Sequence, residues 1–295
     1  MGTLIQTLVT GLLIGGVIAL LSSGLTLIFG VMRVVNFAQG EFVMLGMYFM
    51  LFLTSMVGVQ YLQVLSPLVF VAFSLVGLVI YMVSMRHVTG AMFSGARGQD
   101  AQLILTLGLS LVLQNVALMV FGSKPFLLSS SFSGAWELGG ILFNKPRTLG
   151  FGIAAISIAC LLWFLSFTPY GRVMRATADD AEAAAYMGIE VPRVHAVAFS
   201  IGVGLAGVGG AILASFYPMQ PYVGEDFIVL MFVAVVLGGL GSVVGALVGG
   251  LIIGITQAVT PLLLPLQLQN IGVFIIFLVV LLVRPQGMFG KRIRA

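Results

Sequence analysis

Charge is scarce in this chain. Only 7% of its 295 residues are Asp, Glu, Lys or Arg, and 60% are hydrophobic. An ordinary soluble domain carries roughly 25% charged residues, and so few charges cannot cover so much apolar surface in water. A soluble fold is therefore excluded. Cysteine is scarcer still: Cys160 stands alone, which rules out an intrachain disulfide and a thiolate metal cluster. Set in an apolar run, it is expected to be a buried small hydrophobe. Histidine occurs only as His87 and His195, and there is no H-E-x-x-H, so the ligand set of a membrane metalloprotease is missing. No G-x-x-x-x-G-K-S/T occurs either, which places any ATP hydrolysis on another polypeptide. Ser22, Ser23 and Gly24 lack a plausible His partner, which argues against an intramembrane Ser–His dyad. The net charge of +4 is scattered over loops and tail, so a nucleic-acid surface is not indicated.

What the chain has instead is long apolar runs. Several exceed the roughly 20 residues that cross a bilayer core as helix, and they lack the alternation of barrel strands. The 38 glycines fit close packing of membrane helices. Six spans are expected at Leu4–Phe29, Glu41–Gly58, Leu62–Met85, Ala101–Gly122, Leu149–Thr168 and Val194–Phe216. Beyond Asp226 the chain is apolar to Leu240, turns, is apolar again to Thr260, and ends in a span from Ile271 to Val283, giving eight or nine crossings. The first run lacks a basic leader region and is too long for a cleaved signal, so it is read as the first membrane helix. Gly2 without Ser or Thr at the sixth position argues against myristoylation. With nine crossings Arg33, Arg86, Arg97, Arg172, Arg175, Arg193, Arg284, Lys291, Arg292 and Arg294 fall on one side. By the positive-inside rule that side is cytoplasmic and the N-terminus is outside. Lys124, Lys145 and Arg147 then lie in an external loop, 123–148, expected to be structured.

The loop 169–193 is expected to hold a short helix. Thr177 with Asp180, or Asp179 with Glu182, has capping-box spacing, and "AEAAAYM" is rich in helix formers. Gly188 fits the left-handed residue that ends a helix, and Pro192 fits the first turn of the next. Such a helix either docks a partner or is a capped loop with none. Gly241, Gly245 and Gly249 recur every fourth residue as a packing ridge, Gly250 and Gly254 extend it on a neighbouring stripe, and Gly238 and Gly239 supply a turn. Gln114, Asn115 and Gln257 lie inside spans and bond either a solute or a neighbouring helix. "YPMQPY", 217–222, is interfacial or part of a surface that receives solute. "GVMRVVNFAQGEF", 30–42, stands out as a polar string between two apolar runs.

Three stretches carry a resemblance. "GLTLIFGVMRVVNFAQGEFVMLGMY" (24–48) is similar to the signature of branched-chain amino acid permeases of the LivH type, and "AVVLGGLGSVVGALVGGLIIG" (234–254) to the same family's glycine-rich hairpin. Glu182, Ala183, Ala184 and Gly188 form E-A-A-x-x-x-G, which resembles the motif by which permeases of ATP-binding cassette (ABC) importers dock their ATPase subunits. Gln39 stands where the family usually has histidine, so a pH-sensitive role there is not expected, while a hydrogen-bonding one survives.

The resemblance implies an all-α polytopic permease in one domain, residues 1–295, with a broken helix near 30–41 and a glycine-rich helical hairpin near 238–254. Its implied function is import of branched-chain or other amino acids, or of urea or short amides, across the bacterial inner membrane. Implied partners are two ATP-binding cassette subunits that hold the ATP, a second permease subunit (the same or different), an extracellular or periplasmic solute-binding protein, and the lipid bilayer. No cofactor or metal is expected on this chain. Glu182, Ala183, Ala184 and Gly188 are the coupling residues; Asn36, Gln39, Glu41, Gln114 and Asn115 are the pathway candidates. The rivals are an ion-coupled secondary transporter, which needs a membrane carboxylate site that Glu41 alone does not complete, a membrane-embedded enzyme, and a membrane scaffold that transports nothing.

Overall fold

In hydrocarbon the backbone must satisfy its own hydrogen bonds, which leaves helix as the default for apolar runs of this length. The computed structural model describes residues 2–58, 65–88, 96–128, 134–138 and 140–290; Lys291, Arg292 and Arg294 lie outside them. In chain order the helices are α1 (Gly2–Met32), α2 (Gln39–Val57), α3 (Ser66–Val88, with a π-helical turn at Tyr81–Met85), α4 (Ala96–Phe121) and α5 (Lys145–Phe167). There follow α6 (Pro169–Asp179), α7 (Ala181–Tyr186), α8 (Val191–Leu213), α9 (Val223–Gly238), α10 (Val243–Val259) and α11 (Gln269–Val283). Seven of these are long and apolar enough to cross a membrane, α10 with the 3-10 turn that follows it. With 16 and 15 residues, α9 and α11 are shorter. A small antiparallel hairpin, β1 (Ala135–Leu138) and β2 (Ile141–Asn144), pairs Ala135 with Asn144 and Leu138 with Ile141.

Two helices form the centre. The most apolar stretches of α1 and α8 are each 83% buried, against 17% for α4, so the others are arranged around this pair. The glycines of α8 explain its position. Gly202 faces Gly24 and Ile28 of α1, Gly204 and Gly207 face Phe70 and Phe73 of α3, and Gly210 faces the backbone of α2 at Val43. One helix thus packs closely against three others, as small residues permit. The π turn of α3 places Tyr81 beside Phe199 of α8, with ring centroids 6.3 Å apart.

The glycine-rich hairpin has the expected ridge and neighbouring stripe, except at Gly241. Gly241 lies in the turn, not on α10, and holds φ +85°. Its amide donates to Thr26 Oγ1 of α1 at 3.2 Å. Gly238 is the last residue of α9 and packs on Gly245, so the turn belongs to Gly239 and Gly241. Gly245 and Gly249 face α9 at Gly238 and Ala234; Gly250 and Gly254 face α1 at Ala19 and Gly15. Each four-residue pair thus serves one neighbour, and the single step from Gly249 to Gly250, about 100° around a helix of 3.6 residues per turn, turns the second pair to the other. Cys160 also departs from expectation: it is exposed. The buried stripe of α5 is Gly150, Ala154, Ile158 and Leu161, and Cys160 lies off it.

The segment 123–148 is partly structured, as expected. Phe126 and Met219 exchange backbone hydrogen bonds at 2.9 and 2.8 Å. Gln6 of α1 clamps β2, donating to Leu142 O at 2.6 Å and accepting from Leu142 N at 2.9 Å. Arg33, Arg86, Arg172, Arg175, Arg193 and Arg284 gather at one end of the bundle, with Lys145 and Arg147 at the other.

These contacts set a packing test. Gly249→Val pushes a side chain into the Ala234 carbonyl, and overpacking of this kind costs about 1–3 kcal/mol. A lower melting temperature of the detergent-solubilised chain is expected. Gly108→Val, where nothing lies within 4 Å of the added carbon, should leave it unchanged.

Candidate functional site

The polar string after α1 forms a re-entrant break. Arg33 takes φ +56°, the one left-handed non-glycine among the described residues, and its amide still donates to Phe29 O at 2.7 Å, closing α1. The glycines on either side, Gly30 and Gly40, are both helical. They serve as contact points, Gly30 against Gly241 and Gly40 against Gly224. After Arg33 the chain turns back into the bundle. The Asn36 side chain accepts from Ala38 N at 3.2 Å, a local turn that Asn makes readily. Asn36 Nδ2 donates to Gln39 Oε1 at 3.2 Å, and Gln39 Nε2 donates to Gly202 O at 2.9 Å. Gly202 is halfway along α8, so α2 begins in the middle of the bundle rather than at its edge. Asn36 and Gln39 are 1% and 0% exposed, and their amides are engaged within the fold.

Two residues further lies a second polar group. Glu41, 2% exposed, accepts from Ser110 Oγ of α4 at 3.2 Å through Oε1, while Oε2 is buried without a hydrogen-bond partner. Gln114, one turn along α4 from Ser110, donates to Glu225 Oε1 at 2.5 Å. The contact of Gly40 with Gly224 brings the first turns of α2 and α9 together, so Glu41 and Glu225 lie within electrostatic reach of each other. A carboxylate in the first turn is favoured by the positive end of the helix dipole. Two helices thus start side by side with their N-termini and acids converging, Glu41 buried and Glu225 exposed. The Tyr48–Phe121 stack, centroids 4.0 Å apart, holds α4 against α2. Asn115 is not part of this group; it is exposed and donates to Leu111 O of its own helix at 2.7 Å. Gln257 bonds Asn270 of α11 at 2.9 Å.

The expected loop helix is two helices. Thr168 caps α6, accepting from Gly171 N at 3.0 Å. Asp180 caps α7, accepting from Glu182 N and Ala183 N at 3.0 and 2.9 Å. Neither expected capping box forms, because Thr177 is buried inside α6 with its hydroxyl on Val173 O, and Asp179 ends that helix. Gly188 takes φ +84°, and Ile189 N returns to Ala184 O at 3.1 Å, closing α7. Pro192 stands in the first turn of α8. Ala184 anchors α7 inward, whereas Glu182, Ala183, Tyr186, Met187 and Gly188 face outward.

Arg33 connects these two features. Its guanidinium donates to the carbonyls of Ala178 and Asp179 at 3.4 and 3.1 Å, the C-terminal end of α6, where a cation is favoured. One residue therefore both turns the chain after α1 and grips the end of the loop helix. Sequence reasoning assigned Arg33 to topology alone and passed over Ser110, Glu225, Tyr186 and Met187. A glutamate next to an aspartate opening a short apolar helix was the available signal for Glu225. Ser110 had none. No group of three or more His, Cys, Asp or Glu that could hold a metal exists among the described residues.

Known proteins resemble the chain over nearly its whole length. The model of the family "Branched-chain amino acid transport system / permease component" matches residues 7–283. The high-affinity branched-chain amino acid transport system permease protein LivH of Escherichia coli (strain K12) is 31% identical over 97% of this chain and 96% of its own length. BraD of Pseudomonas aeruginosa, described in the same words, is 30% identical over 97% and 96%. The ribose import permease protein RbsC of Bacillus subtilis is 32% identical over 48% of this chain and 44% of its own. No solved structure matches the chain. Coverage from end to end by permease proteins makes this a membrane transport component and not an enzyme: the chain belongs to the permease-component family of branched-chain amino acid transport systems.

Proposed function

We propose that the chain is the permease subunit of an ATP-driven ABC importer of branched-chain or other amino acids, with urea and short amides as the nearest alternatives. It works as one membrane domain in the bacterial cytoplasmic membrane, N-terminus outside and arginine-rich end facing the cytoplasm. Its partners are two ATP-binding cassette subunits, a second permease subunit and a solute-binding protein. The observation that carries the reading is the Arg33 bridge. The outward surface of α7, Glu182 to Gly188, is where an ATPase subunit docks, and Arg33 joins the adjoining helix α6 to the re-entrant break. Movement of the docked loop is thereby passed to the break.

In this mechanism Asn36 and Gln39 hold the break, and Glu41, Ser110, Gln114 and Glu225 line the pathway. A zwitterion crossing the membrane needs polar groups at mid-depth, and discontinuous helices whose N-termini meet there supply them. Asn115, exposed on α4 with its amide on Leu111 O, is left out of the pathway. Amides and carboxylates suit the ammonium and carboxylate of an amino acid without committing to its side chain.

Proteoliposomes with the full transporter, binding protein and labelled leucine test the assignment. Uptake should require the ATPase subunits; uptake that persists without them and follows a proton gradient would replace it with the ion-coupled reading that the Glu41–Glu225 pair would serve. Gly188→Pro cannot hold a positive φ, and should leave membrane insertion normal while ATP hydrolysis continues without uptake. Arg33→Ala should reduce uptake about tenfold, or ~1.4 kcal/mol of transmitted energy, with ATPase binding retained. Gln39→Leu removes the acceptor of the buried Asn36 Nδ2, which costs about 1–3 kcal/mol, and should lower the melting temperature. Glu41→Gln should melt as the parent does and transport more slowly.

A further inference from the structure

Away from the polar group on α2 and α4 there is a cavity of about 490 Å³ at the opposite end of the bundle from α6 and α7. Its wall is built from the start of α1, the start of α5, the ends of α8 and α10, and the first turns of α9 and α11. The volume is in the range of small-molecule sites, roughly 300–1,000 Å³. Two charges of opposite sign face it. Arg147, at the start of α5, lies over the Phe216 ring at 5.6 Å, and its Nε is buried without a hydrogen-bond partner. Asp226 follows Glu225 on α9, and successive helical residues point about 100° apart. Glu225 therefore turns to Gln114 while Asp226 turns to the cavity. Neither Arg147 nor Asp226 is in an ion pair; the one ion pair among the described residues, Arg193 with Glu190, is at the other end.

An arginine and an aspartate that share a cavity without pairing are poised for a ligand with the complementary two charges. A guanidinium binds a carboxylate or phosphate through paired N–H donors, and a carboxylate accepts from an ammonium. The remaining wall is apolar, with Ile14, Ile18 and Leu230, and carries the Gln257–Asn270 amide pair at its margin. We propose that this cavity binds a zwitterion, its anionic group on Arg147 and its ammonium on Asp226, with an aliphatic portion against α1 and α9. Free amino acids have this chemistry, and so does the phosphatidylethanolamine headgroup. The site is separate from the Glu41 group, so it stands or falls independently of the pathway assignment.

The full chain in phosphatidylglycerol nanodiscs, titrated with tritiated L-leucine, tests the first source. Saturable binding is expected, displaced by unlabelled leucine but not by leucinol, which lacks the carboxylate, nor by 4-methylpentanoate, which lacks the amine. Arg147→Gln and Asp226→Asn should each weaken it at least about tenfold. If leucine does not bind, native mass spectrometry of protein from phosphatidylethanolamine-rich membranes tests the second. One retained phosphatidylethanolamine per chain, lost in both variants, assigns the site to the lipid. Binding of neither ligand overturns the proposal. So does displacement of leucine by either single-charge competitor, a result that uses the parent chain and needs no folded variant, and so does parent-like binding by a monodisperse variant.

Discussion

The hydrogen bond from the Gln39 side chain to the Gly202 carbonyl is the contact on which the interior depends. Hydrocarbon offers no water to a backbone that leaves the helix, so each freed amide and carbonyl must find a protein partner. Between Met32 and Gln39 the chain leaves the helix inside the bundle. Asn36 meets the amide of Ala38 and the amide oxygen of Gln39, and Gln39 fixes both to the middle of α8. This places the first turn of α2 at mid-depth. Because Gly40 touches Gly224, it places the first turn of α9 there as well. The meeting of Glu41, Ser110, Gln114 and Glu225 is a consequence.

Close approach by glycine is the second requirement. α1 and α8 cross at Gly24 and Gly202, and α9 and α10 at Gly238 and Gly245, where no Cβ could be accommodated without displacing backbone. No apolar collapse drives helices together within lipid, so packing at such crossings supplies much of what holds the bundle. The polar interior is held by the same geometry. A larger residue at position 40 or 224 would separate two helix starts and the carboxylates they carry.

Much of this was legible in the sequence, for reasons that differ by element. Apolar run length marked the long helices, because the bilayer imposes it. Gly188 was legible as a helix end, because a left-handed residue selects glycine locally. The capping of α7 was misread by three residues in one alternative, Thr177, and by one in the other, Asp179, since Thr177, Asp179 and Asp180 all offer oxygens and only the extent of α6, which buries Thr177 and ends at Asp179, decides among them. The ridge Gly241–Gly245–Gly249 was misread at Gly241 alone, because spacing cannot show that the helix starts only at Val243. The Glu41–Glu225 pair was beyond reach: its members are far apart in sequence, and they are joined only by tertiary contacts, Gly40 on Gly224 and the Ser110 and Gln114 side chains of α4.

The left-handed conformation of Arg33 gives the strongest reason to treat the two ends of the break as one device. A non-glycine residue there costs roughly 1–2 kcal/mol, and glycine would remove that penalty. Glycine would also remove the guanidinium that holds the α6 carbonyls. The two demands, a tight exit from α1 and a cation at the end of α6, meet at one position and are met by one side chain. A loop independent of the membrane interior would have no such constraint. On the proposed reading, a shift of α6 pulls on the residue that begins the re-entrant segment, and the rigid Asn36–Gln39–Gly202 chain carries the shift to mid-depth instead of letting the loop absorb it.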